Sequence, residues 1–125
     1  MSPTLETTYR ALLLNVMVVM MEEDGILEDR EVGLIGDVFE DLVGFRLDAR
    51  IRKRLVGAVK ENRREVLEQV RTRASLLTEQ QRESIFDAAL RVLRIDGVAK
   101  SREYRFLRDV GLAIGMSDAE IDLHL

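Results

Sequence analysis

Residues 11–21 are apolar with one interruption, Asn15, and around them Leu5, Tyr9, Leu12, Leu13, Val16 and Met20 recur at three-to-four spacing. That pattern predicts a helix over about residues 4–23, apolar on nearly every side and therefore at the centre of a fold. A second helix is predicted over about 28–43, with Val32, Ile35, Val38, Phe39 and Leu42 on one face and Gly44 ending it. Asp48 can cap a third, carrying Ile51, Leu55 and Val59. Gly57 and Asn62 allow a break before a fourth helix bearing Val66, Leu67 and Val70, with one long helix as the alternative. Thr78 and Gln81 form a capping box for a fifth, which carries Ile85, Phe86, Ala89, Val92 and Leu93. A sixth runs over about 100–114 and ends at Gly115, and Ser117 or Asp118 caps a short seventh. Nothing alternates with period two for long, and the single proline, Pro3, can start a helix without breaking one.

The pattern repeats itself. Val19-Met20-Met21-Glu22-Glu23-Asp24-Gly25-Ile26-Leu27-Glu28-Asp29-Arg30-Glu31 returns 72 positions later as Arg91-Val92-Leu93-Arg94-Ile95-Asp96-Gly97-Val98-Ala99-Lys100-Ser101-Arg102-Glu103. Leu34 then pairs with Phe106, Ile35 with Leu107, Asp37 with Asp109 and Val38 with Val110. After a slip of one or two residues, Gly44 pairs with Gly115 and Asp48-Ala49-Arg50-Ile51 with Asp118-Ala119-Glu120-Ile121. The expectation is one all-α domain of about seven helices built by internal duplication. Its units span about residues 4–51 and 76–125, with a basic helical region at 52–75 between them. The two most apolar helices, the first and fifth, hold equivalent places and should pack together.

A length of 125 residues is enough for a self-sufficient core. The absence of cysteine removes disulfides, thiolate zinc sites and cysteine nucleophiles, and fits a reducing compartment. The longest apolar run is far short of a membrane span, and Glu6 before it, with no cleavage site after, argues against a signal peptide. The chain is expected in the cytoplasm. Its net charge of −4 hides a segregation: residues 46–73 hold ten bases against four acids, whereas residues 1–45 hold two against ten. The basic stretch reads first as a solvated face. Its other reading is an anion-binding surface of Arg50, Arg52, Lys53, Arg54, Arg63 and Arg64 for nucleic acid or an acidic membrane surface. Nucleic acid is disfavoured, because one aromatic, Phe45, lies near these bases and the protein as a whole is acidic.

Asp-Gly-x-apolar-x-x-x-Glu matches the second half of a calcium-binding EF-hand loop, Asp24, Gly25, Leu27 and Glu31 taking positions 5, 6, 8 and 12. The first half fails: positions 1 and 3 would be Met20 and Glu22 in one copy, Val92 and Arg94 in the other. Each copy is equally explained as a helix–turn–helix corner in which Gly ends one helix and Glu caps the next. Glu22, Glu23, Asp24, Glu28, Asp29 and Glu31 crowd the first corner with more acids than a corner needs, which makes it the better cation site. Arg94, Lys100 and Arg102 offset Asp96 and Glu103 at the second.

The doubled motif, each copy after an apolar helix, resembles the TerB-like tellurite-resistance domain, also found as the N-terminal region of DjlA-type co-chaperones. The resemblance covers roughly residues 8–123. It implies an all-helical fold with internal pseudo-symmetry, a stress-response context, and acidic residues that bind a metal ion; Asp24, Glu31, Asp96 and Glu103 are the matching positions. Where that family has Ser opening the second helix of each unit, this chain has Glu28 and Lys100.

Catalytic motifs are missing: there is no Gly-rich phosphate loop, no Gly-x-Ser-x-Gly elbow and no His-Glu-x-x-His, and the one histidine is His124. The reading is a non-catalytic regulatory or scaffold module that binds a protein partner, with room for a homodimer. It carries a weak Ca²⁺ or Mg²⁺ site drawn from Glu22, Asp24, Glu28, Glu31, Asp96 and Glu103.

Overall fold

In the computed structural model, residues 5–21, 27–56, 63–95 and 101–125 are described. Among them seven helices follow in order: α1 (Leu5–Met21), α2 (Asp29–Val43), α3 (Ala49–Leu55), α4 (Arg63–Arg73), α5 (Glu79–Ile95), α6 (Ser101–Ala113) and α7 (Asp118–Asp122), with a 3₁₀ turn at Ala74–Leu76. Among the described residues there is no strand, and no helix is long and apolar enough to cross a membrane.

The expected central helix is α1. Residues 16–21 are all buried in succession, so every side of that turn and a half is covered. Its principal neighbour is α5, as the repeat predicts, and α2 and α4 flank it. Asn15, the polar residue in the apolar run, is half-buried and points its amide at Gln69 of α4, 3.4 Å from Nδ2 to Oε1.

Local signals set most boundaries. Thr78 and Gln81 close the capping box of α5, the Gln81 amide donating to Thr78 Oγ1 at 3.1 Å and the Thr78 amide to Gln81 Oε1 at 3.0 Å. Ser117, not Asp118, opens α7 with the same device, reciprocated by Glu120. Asp48 opens α3 by accepting from the Arg50 amide at 2.7 Å. Gly44 and Gly115 end α2 and α6 at φ +95° and +97°, a region where a side chain is strained. At Gly115 the pairing is a Schellman motif, Met116 N–H donating to Gly111 O at 2.9 Å and Gly115 N–H to Leu112 O at 3.1 Å. The left-handed roles expected for Gly25 and Gly97 lie outside the described residues.

The basic region forms two helices. Val56 leaves α3 in extended conformation and makes an isolated parallel bridge to Leu27, the residue entering α2. From there the helices diverge, α3 packing on α2 while α4 packs on α1 and α6. Neither the bridge nor the 3₁₀ turn was expected from the sequence, since both depend on partners distant in the chain or on a single turn of backbone.

Candidate functional site

Of the six expected cation ligands, Glu22, Asp24 and Asp96 lie outside the described residues. Glu28 and Glu31 have structural work. Glu28 is the N-cap of α2, and its backbone amide donates to Glu31 Oε1 at 2.9 Å, closing a capping box. Glu28, which stands where the resembled family has Ser, is the N-cap residue here. Glu103 holds the same third position in α6 that Glu31 holds in α2, and it is 2% exposed. Among the described residues no three carboxylate or imidazole groups converge on one point.

The six expected anion-binding residues are divided between two helices, four on α3 and two on α4. Arg52 is partly buried and lays its guanidinium along α2, with a methyl built on Gly36 at 3.8 Å from its Nε and one on Gly33 at 4.0 Å from its outer nitrogen. Arg63, on α4, stacks 5.6 Å from the centroid of Phe106 on α6. Arg50, Lys53 and Arg54 are exposed on α3, and Arg64 is exposed on α4.

A concavity of about 640 Å³ lies elsewhere, between α5 and the turn leading into α7. Its floor is Phe86, Leu90 and Ile114, with Met116 and Leu123 on the far side. The helical period explains this wall. Arg82, Phe86 and Leu90 recur every four residues on α5, and beside them Glu79, Glu83 and Asp87 form a parallel acidic stripe. Arg82 forms no ion pair with those acids; its guanidinium donates to the carbonyls of Ala74 and Leu77 at 3.2 and 3.1 Å. Asp87 is paired with Arg91, which also binds Asp41 and so ties α5 to α2. Glu79 and Glu83 have no ion-pair partner among the described residues. Across the groove, Glu120 sits in the α7 capping box, and its backbone and side-chain hydrogen bonds with Ser117 hold its carboxyl below the usual range. Leu123 stands 86% exposed at the lip, where a leucine is costly to leave in water.

α7 is held in place to form this groove. Arg108 of α6 donates to Asp118 at 2.8 Å and Asp122 at 2.5 Å, and Ile121 is fully buried against α6. His124 meets the edge of Phe86 with ring centroids 5.3 Å apart, and its carbonyl accepts from Arg94 at 3.1 Å. The sequence reading did not single out the groove. The i, i+4, i+8 spacing of Glu79, Glu83 and Asp87 was its one local signal.

Compared with known proteins, the chain matches no protein family, no curated protein and no solved structure.

Proposed function

We propose that this protein is a non-catalytic helical binding module of TerB-like, internally duplicated design, and that it holds a basic amphipathic helix of a partner protein in the groove between α5 and α7. The observation that carries this reading is the pairing of an exposed apolar lip, Leu123, with a carboxylate stripe, Glu79 and Glu83, that has no ion-pair partner among the described residues. Helix-in-groove recognition needs an apolar trough for the buried face and rim charges to fix orientation. Three of the groove's other charged groups are engaged: Arg82 on backbone carbonyls, Asp87 on Arg91, Glu120 in a helix cap. That favours docking over acid–base chemistry. A regulatory role in a stress response follows from the TerB-like resemblance and rests on it.

The test is fluorescence anisotropy with a labelled Leu/Lys amphipathic peptide and its Leu/Glu counterpart of equal length. The Lys peptide is expected to bind, with affinity falling on addition of salt, and to lose binding in Leu123→Asp or Glu79→Lys/Glu83→Lys. Equal binding of both peptides, or of neither, would overturn the reading.

A further inference from the structure

On the α2–α3 side of the molecule a second pocket, of about 240 Å³, is lined by three arginines from three places in the chain. Arg30 comes from the start of α2, Arg46 from the loop after it, and Arg52 from α3. Among the described residues none of the three is paired with a carboxylate, although Asp37 and Glu40 line the same pocket. Those two acids also hold no ion pair there. Part of the floor is Gly33 and Gly36, two glycines in the body of one helix where glycine weakens the helix. A methyl at either would meet Arg52 only at ordinary contact distance, so close packing does not demand glycine. What the glycines do is leave the helix surface bare, so that the pocket has depth and the Arg52 guanidinium lies flat against its wall.

We infer that this pocket is a binding site for a small hydroxylated phosphate monoester, the guanidinium groups of Arg30, Arg46 and Arg52 taking the phosphate and the carboxylates of Asp37 and Glu40 accepting from the hydroxyls. Arginine presents planar, forked donors that match phosphate oxygens, and several on one anion fix its orientation as well as its charge. A bare inorganic anion would leave Asp37 and Glu40 facing like charge; a ligand that also offers O–H donors satisfies both sets. Exposed ion pairs are weak, so any transient pairing of these arginines with the neighbouring acids yields readily to a dianion. The volume admits a three-carbon polyol phosphate and excludes a nucleic-acid helix, which sets this site apart from the surface reading of the basic segment.

The experiment is an amide NMR titration of the full chain with glycerol 3-phosphate, inorganic phosphate and glycerol at matched ionic strength. Glycerol 3-phosphate is expected to shift amides in residues 30–37 and 46–52, with an affinity about tenfold tighter than inorganic phosphate, and glycerol is expected to shift none. Arg46→Gln, in the exposed loop, should weaken glycerol 3-phosphate at least tenfold. Asp37→Asn/Glu40→Gln should bring its affinity down to that of phosphate. Gly33→Leu, which keeps every charge and suits a helix, should abolish binding by filling the floor. No shifts in these segments, equal affinity for the two anions, or undiminished binding in Gly33→Leu would each overturn the inference. The groove peptide serves as a control, since it should bind all these variants alike.

Discussion

Ile121 occupies the space that a side chain on Gly111 would need: a methyl built there lies 2.8 Å from both Cγ1 and Cδ1 of Ile121 and 3.2 Å from Phe86 Cε2. Both neighbours are buried, so neither can move aside cheaply. Gly111→Ala gains helix propensity of about 1 kcal/mol but meets an overpacking penalty of about 1–3 kcal/mol, so a net loss on the order of 1 kcal/mol is expected. A thermal melt checks this. An unchanged or raised melting temperature would show that α7 does not close on α6 as described.

Gly44 and Gly115 make the complementary case. Nothing lies within 4 Å of a methyl at either, yet both sit at φ near +95°. Substitution by Val should cost about 1 kcal/mol or more through backbone strain alone, and Asn should be milder. Chemical denaturation of the four single variants separates the two: equal effects of Val and Asn would remove the left-handed argument.

The Glu120 carboxyl titrates below its ordinary range because the Ser117 amide and hydroxyl interact with it in the folded state. A depressed folded value means the charged form stabilises the fold. That contribution is present at neutral pH, above the unfolded carboxylate range, and is lost as pH falls through the folded value. Following the side-chain carbonyl of Glu120 by NMR across an acid titration should show its midpoint rise in Ser117→Ala. An unmoved midpoint would discard the Ser117 hydroxyl as a cause and leave the backbone amide alone.

Calcium at millimolar concentration should perturb residues 22–31 before 96–103. Glu28 and Asp29 are exposed at the first corner, while at the second Glu103 is buried. Affinity is expected to be weak, because one oxygen of Glu31 already holds the Glu28 amide. Asp24→Asn/Glu31→Gln should erase the response. Shifts centred on 96–103, or none, would remove the cation from the function.

What the sequence made legible was local. The boxes at Thr78 and Ser117, the cap at Asp48 and the stops at Gly44 and Gly115 involve residues one turn apart, where identity and spacing decide the geometry. The apolar run of α1 was legible because a helix without a polar side has one place to go. At Glu28 and Glu31 spacing alone does not separate two roles, because a helix cap and a metal ligand ask for one residue type at one spacing. Nothing in the sequence placed Arg52 on the glycines of α2 or Leu123 opposite Phe86. Those contacts depend on how α3 and α7 cross their neighbours, and for α7 that crossing is set by contacts such as Ile121 against the bare backbone at Gly111. Charge counting made residues 46–73 one basic block, whereas the chain bends at Val56 and sends its two halves to different partners.

The burial of residues 16–21 on every side also bears on whether the molecule can be divided. α5 covers one flank of that turn, with α2 and α4 beside it, so no half of the chain owns it. Severed between α3 and α4, the leading piece would present a bare wall of Val and Met to water, and the trailing piece would present the opposite wall of α5. Each fragment would be adhesive alone and soluble only when joined to the other. The single polypeptide is in this sense a tethered pair, and the tether supplies the local concentration that two short chains would otherwise have to find.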